Sequence, residues 1–296
     1  MTTRQRRSFL GVVLLWGTTW IVIKDQLGTV DPSWSVAYRF AAGGLALLGW
    51  CRLKGEPLGV PRGALGFLSL FGLLQFVLNF NFLYRAEAFV PSGLPAVAFA
   101  LLMVPNALFA FLFLGRRPSA RFAAGSGLGV AGVALLFAEE LRRATDPAGT
   151  LEGIALLAAA ILSASAANVL HASPAAARIP PLGGLAWAML LAAAMNATLA
   201  AAVAGPPAWD PRPQYAVGVL FLGVLASAIA FALYFDLVRT LGPAEAAWTG
   251  VPIPVLAMAI STVVEGYRWT GPSVAGAALA LAGLVVALRA PASART

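Results

Sequence analysis

Apolar runs of about 17 to 25 residues recur from one end of this chain to the other, the length a helix needs to cross roughly 30 Å of hydrocarbon. Inside a bilayer the backbone has no water to bond, so such runs close their own hydrogen bonds as helices. A β-barrel would instead show strands of about ten residues with alternating polarity, and none is present. Composition agrees: 60% of the 296 residues are hydrophobic and 11% are charged. A soluble chain so composed would lack the polar side chains to cover its surface. The expected fold class is an all-α integral membrane protein with about ten transmembrane helices.

The spans read as Ser8–Lys24, Pro32–Arg52, Gly63–Arg85, Pro91–Leu114 and Ala120–Ala138, then Leu151–His171, Leu182–Val203, Gln214–Arg239, Pro243–Glu265 and Gly271–Leu288. The polar stretch Glu139–Thr150, with Asp146-Pro147 and Gly149, divides them and sets expected units at residues 1–145 and 146–296. Arg6-Arg7-Ser8-Phe9-Leu10 has the form of a twin-arginine export signal. No small-residue cleavage site follows and further spans do, so the pair reads as an anchor for the first helix.

Basic residues set the expected orientation. Arg4, Arg6, Arg7, Arg52, Lys54, Arg62, Arg116, Arg117, Arg121, Arg178, Arg239, Arg289 and Arg295 fall on one side. Lys24, Arg85, Arg142, Arg143, Arg212 and Arg268 fall on the other. The richer side is expected to be cytoplasmic, with both termini there and the chain in a bacterial inner (plasma) membrane. The net charge of +8 thus sits at span ends and forms no continuous basic face, so no nucleic acid is expected as a partner. The expected partners are the lipid bilayer and a small-molecule substrate, with monomer and homodimer both open.

The two halves resemble each other. The segment from Ala124 to Leu135 can be laid over that from Ala275 to Val286, and Gly125 then meets Gly276 while Gly132 meets Gly283. Upstream, Gly115 meets Gly266, and Val90-Pro91 meets Gly242-Pro243 with one residue of slippage. If each half holds an odd number of spans, the second enters the membrane from the opposite side. That is an inverted repeat, the architecture that lets a carrier exchange inward-open and outward-open shapes. Gly125 and Gly129 make a Gly-xxx-Gly pair, loosely matched by Gly276 and Ala280, whose close-approach face could join the halves or two subunits.

With these residues in view, the chain resembles the drug/metabolite transporter superfamily, in its EamA-like branch with ten spans. Leu15-Trp16-Gly17-Thr18-Thr19-Trp20-Ile21-Val22-Ile23-Lys24 is similar to that family's opening helix, and Ala37-Tyr38-Arg39-Phe40 with Gly43-Gly44 to its second. Pro254, followed by Gly276 and Gly283, resembles its proline–helix–glycine pattern. The family often has Gly-Glu at the ends of the fourth and ninth spans. Here the pairs are Gly115-Arg116 and Gly266-Tyr267, with Glu265 near but out of register. The resemblance implies a secondary transporter, and within the superfamily the bacterial exporters of aromatic and other amino acids are the nearest likeness.

Carrier sites lie near the midplane where helices are interrupted. Pro105, Pro252 and Pro254 sit within spans, where a proline removes a backbone bond and bends the helix; they are the candidate hinge residues. Gln75, Asn79, Asn106, Ser165 and Asn168 carry polar groups inside spans, either to bridge helices or to meet substrate. Trp16, Trp20, Tyr38, Tyr84, Tyr234 and Trp248 could form an aromatic wall around an amphipathic solute, although aromatics also build interfacial belts, as expected of Trp34, Trp50 and Trp209. Arg39 lies about two turns into its span and either meets a substrate carboxylate or snorkels outward. Asp236 and Arg239 are spaced for a local ion pair. No Asp or Glu falls at the midplane, which predicts passage without an obligatory buried carboxylate.

Other functions lack their parts. Cys51 is the single cysteine and His171 the single histidine, so neither a disulfide nor a metal site is expected, and no cofactor is. The acidic pairs and Ser/His dyads of intramembrane enzymes are missing, as is a G-x-x-x-x-G-K-[ST] loop, so no enzymatic activity is expected. The expected function is export of small organic metabolites, aromatic or other hydrophobic amino acids foremost, by alternating access. The alternatives are a multidrug or other metabolite exporter of the same superfamily or, in a different class, a membrane-embedded enzyme.

Overall fold

The computed structural model describes residues 1–115 and 117–289, so Arg116 and Arg295, counted above among the basic residues, lie outside it. The described residues form helices and connections with no strand. In chain order the long helices are α1 (Thr3–Asp25), α2 (Pro32–Lys54), α3 (Leu65–Ala86), α4 (Gly93–Leu114) and α5 (Ala120–Arg143). After them come α6 (Pro147–His171), α7 (Pro181–Ala204), α8 (Pro213–Leu241), α9 (Ala247–Val264) and α10 (Gly271–Leu288). Among the described residues, nine are long and apolar enough to cross a membrane. The exception is α2, which has 23 residues, as α1 does, but includes Arg39, Arg52 and Lys54.

Local chemistry explains where these helices begin and end. Thr2 and Gln5 form a capping box at α1, and Asp31 accepts from the Ser33 N–H ahead of Pro32 at α2. Asp146 caps α6 through Gly149 N–H, with Pro147 in the first turn, where a missing N–H costs nothing. Gly55 and Gly115 terminate α2 and α4 at φ 68° each, a left-handed conformation that glycine alone adopts without strain.

Regular helix is interrupted in matching places. α3 passes through a π segment at Leu73–Leu78 and α8 through one at Phe221–Ile229. Each π segment displaces carbonyls from their usual partners, and side chains take them up. Asn196 donates to Phe76 O, Trp16 Nε1 to Ala226 O at 3.0 Å, and Ser227 Oγ to Leu222 O at 2.8 Å. α4 tightens to a 3₁₀ turn at Ala100–Leu102 and α9 begins with one at Ala247–Gly250. Pro105 is the third residue of the α segment after the first turn, and Pro252 opens the one after the second, with Pro254 two residues on. The prolines thus lie inside their spans, as expected: Pro105 is the thirteenth of the 22 residues of α4, just past a change of pitch, and Pro252 and Pro254 follow directly on the 3₁₀ turn of α9.

α5 and α10 run antiparallel in direct backbone contact. Gly125 sits against Gly283 and Ala287, and Gly132 against Gly276 and Ala280. The glycine faces therefore join the two halves of one chain. Elsewhere, α2 is pressed onto α7 and α8 through Gly43, Gly44 and Gly223. The antiparallel course leaves two faces. The proximal face carries Thr3, the α2–α3 and α6–α7 connections and Leu288; the distal face carries Asp25, Asp31, Glu87, Arg143, Asp210 and Glu265.

Candidate functional site

An open cavity of about 180 Å³ lies on the proximal side of the bundle. Its wall is Phe67, Phe71, Gln75 and Phe76 of α3, Asn168 and His171 of α6, and Phe231, Tyr234 and Phe235 of α8, closed by the turn Ile179–Pro181. Phe67, Phe71 and Gln75 of α3, and Phe231, Tyr234 and Phe235 of α8, fall on one face because they recur every three or four residues near the proximal ends of those helices. The lining is mostly apolar, with a few amide groups, as small-molecule sites generally are. It contains no Asp, Glu, Lys or Arg among the described residues. His171 packs on Phe71, ring centres 5.2 Å apart and tilted by 35°.

An aromatic layer roofs the cavity. Phe76 packs on Phe71 at 5.7 Å and on Phe40 at 4.7 Å, and Phe40 on Phe80 at 4.9 Å. Arg39 lies beyond this layer, 4% exposed, its guanidinium 4.5 Å over the Phe80 ring and its Nε donating to Ser227 Oγ at 3.4 Å. It neither lines the cavity nor snorkels to the surface.

The distal end is sealed by polar contacts. Lys24 Nζ donates to the carbonyls of Glu87 and Val90, tying α1 to the α3–α4 turn. The Glu265 carboxylate accepts from Ser92 N–H and Oγ–H, fastening the end of α9 to the start of α4. Gly93 is so close to Met258 and Ser261 that no Cβ would fit. Tyr84 donates to Gln26 Oε1, and a chain of bonds runs from Arg85 and Ser33 through Asn81 to Asn196.

The predicted residues divide accordingly. Gln75, Asn168 and Tyr234 line the cavity; Asn106 accepts from Asn168 at 3.4 Å just behind it. Trp16 stands behind the wall, 5.3 Å from both Phe231 and Tyr234. Trp20, Asn79 and Tyr84 belong to the buried layers toward the distal face, Trp20 packing on Phe99 at 5.4 Å. Trp20 Nε1, Arg39 Nη1, Gln75 Oε1, Asn79 Oδ1 and Ser165 Oγ are buried without a hydrogen-bond partner in the protein. Each such group costs about 1–3 kcal/mol, a cost that structural bridging alone would have removed. Asp236 pairs with Arg239 at 2.9 Å, and with Arg4 at 3.0 Å.

Two expectations need correction. Tyr38 is not at the cavity: its hydroxyl donates to Ala208 O, and its ring stacks on Trp34 and packs at an angle against Trp209 in a distal aromatic belt. Tyr38→Phe should therefore leave transport within about twofold of the native rate and cost at most about 1 kcal/mol, measured by flux and thermal melting. Trp248, on the 3₁₀ turn of α9, does not line the cavity either. No carboxylate is expected at the midplane; Glu87, 0% exposed, is a buried one outside that level, in the distal turn after α3. Glu87 lies in the turn after α3, where hydropathy alone reads a solvated connection; Asn196, the α7 amide that binds the π segment, was missed because one amide in an apolar run gives no signal of direction.

The EamA-like transporter family model matches residues 8–138 and again 151–289. Protein PagO of Salmonella typhimurium is 25% identical over an alignment covering 88% of this chain and 84% of PagO. The uncharacterized inner membrane transporter YedA of Escherichia coli is 28% identical, covering 88% of this chain and 82% of YedA. One crystal structure superimposes with a TM-score of 0.69 over 97% of each chain at 22% identity, a likeness of fold. With its helices, its one-sided cavity and two successive family matches, the chain belongs to the EamA-like transporter family.

Proposed function

We propose that this membrane transporter is a secondary carrier that exports small organic metabolites, aromatic or other hydrophobic amino acids foremost, by alternating access. One observation carries it: an aromatic cavity with amide groups, open at the proximal face and sealed at the distal one. The excess of basic residues makes the proximal face cytoplasmic, with both termini inside and the chain in the inner membrane. In this arrangement the cavity is poised to load from the cytoplasm.

Several features support two inverted halves, residues 1–145 and 146–296. The π segments recur in α3 and α8, the 3₁₀ turns ahead of proline in α4 and α9, and the facing glycines in α5 and α10. The double family match has the same spacing. Opposed halves give a bundle two shapes of similar energy, and a solute shifts their balance only by binding one more tightly than the other.

A second reading, export of amphipathic drugs or other metabolites, is favoured by the uncharged lining, which offers a zwitterion no ionic partner. Purified protein in liposomes, loaded with a labelled panel of amino acids and cationic drugs, separates the two. Aromatic amino acids should exchange at least about tenfold faster than through empty liposomes, a difference of roughly 1.4 kcal/mol in barrier. Passage of cationic drugs with no passage of aromatic amino acids would overturn the narrower assignment.

A further inference from the structure

Among the described residues, Glu87 is a buried carboxylate that neither the cavity nor the helix contacts explain. It closes α3 at the distal face, is 0% exposed, and both carboxyl oxygens lack a hydrogen-bond donor. The other buried acids of the distal face, and its partly exposed Asp31 and Glu265, all have partners. Asp31 and Asp210 cap turns and pair with Arg85 and Arg212, Glu139 binds Arg142 and Thr270, and Glu265 binds Ser92. The nearest cation does not serve Glu87's carboxyl, because Lys24 spends its ammonium on the backbone carbonyls of Glu87 and Val90.

The charged and titratable groups around Glu87 come from each packed element. Lys24 faces it from α1, Arg39 from α2, Glu265 from the end of α9 and Tyr84 from its own helix, while α6 meets this turn through Gly149 and Gly153. Two cations favour an ionised carboxyl; Glu265, and above all the dry surroundings without a donor, favour a neutral one. Without a single N–H or O–H directed at it, an ionised Glu87 is not accommodated while the distal face is closed. Opening that face admits water, which solvates the ion.

From this geometry we infer that Glu87 is a proton-binding site that governs the distal closure: it is held as the neutral acid when the distal face is shut and ionises when that face opens. A proton bound more tightly by the closed form pulls the equilibrium toward it, so acid medium on the distal side favours closure and alkaline medium favours opening. The proton comes from water on the distal side and returns there, so none crosses the membrane in the cycle. External pH then sets how often the carrier opens outward, without a proton gradient being consumed.

The test reads access to the closure and needs no substrate. In a Cys51→Ser background, Val90→Cys places a thiol in the closure, where Val90 is 1% exposed, and Ala208→Cys places one in the exposed distal connection as a control. Maleimide labelling of the detergent-purified protein is measured across pH as the ratio of the two rates. That ratio should rise with pH by up to about tenfold per unit through the titration, the limit for a single proton. Glu87→Gln, a permanent mimic of the neutral acid, should hold it low and flat. A flat ratio with native Glu87, or an unchanged slope in Glu87→Gln, overturns the assignment. If Glu87→Gln does not fold, Glu87→Asp carries the test: a shifted midpoint supports a titrating carboxyl at this site, and an unmoved midpoint refutes it. A protein that transports none of the solutes tested would still give this readout, so the two conclusions stand or fall separately.

Discussion

Gly283→Val should remove most of the folded protein. A Cβ at residue 283 would lie 2.3 Å from Gly129 N, 2.6 Å from Gly125 O and 2.6 Å from Gly129 Cα. All three atoms are backbone, so no rotamer change relieves the overlap and α5 and α10 must separate along their shared face. Overpacking in a well-ordered interior typically costs about 1–3 kcal/mol, and a clash between two backbones belongs at or above the top of that range. Membrane helices have little hydrophobic force to offset the loss, since lipid is as apolar as the partner helix and close packing supplies the attraction. At about 3 kcal/mol, a protein of this size would melt some 6–12 °C lower, if it survived purification. Gly127→Val is the control, because a Cβ there meets nothing within 4 Å. Equal melting of the two variants in detergent would contradict the interhelical role of Gly283.

Arg39→Lys should impair transport nearly as much as Arg39→Leu. The guanidinium lies across the Phe80 ring and reaches Ser227 on α8, so a single side chain of α2 ties together the helices on either side of the aromatic roof. Lysine keeps the charge but loses the planar face and the fork of donors. Loss of a buried cation–π contact and one hydrogen bond amounts to about 1–3 kcal/mol, or roughly 5- to 150-fold in rate if realised when the roof rearranges. Because Arg39 sits behind the roof, the loss should fall on the maximal rate of exchange in liposomes, with KM little changed. A rise in KM at an unchanged maximal rate would instead place the guanidinium on the substrate.

Hydropathy and charge made the helices legible, because a bilayer imposes one length and one hydrogen-bonding solution on any segment that crosses it. The ion pair of Asp236 and Arg239 and the close glycine faces were also readable, since both depend on spacing within a single helix. The cavity wall was read only in part. Gln75, Asn168 and Tyr234 were found by polarity or aromatic character, yet Phe71, Phe76, Phe231 and Phe235 look in sequence like any lipid-facing phenylalanine. Tyr38 was misplaced because its neighbour Arg39 points inward, while helical rotation of about 100° per residue turns Tyr38 to the rim. Glu87 stayed hidden because burial of a turn is a tertiary property: Phe89 and Val90 beside it pack against Gly149 and Gly153 of α6, contacts no local pattern reveals.

The π segments in α3 and α8 carry a mechanical consequence. Such a segment is a helix with surplus chain wound into it, and surplus chain can travel along a helix without unwinding either end. Moving one extra residue past a stretch of helix turns every side chain in that stretch by about 100°, the angle of one residue step. In α3 the segment Leu73–Leu78 contains Gln75 and Phe76, one an amide of the cavity wall and the other its roof. A shift there would exchange what faces the solute for what faces the neighbouring helices, using a few broken backbone bonds in place of a swing of the whole helix.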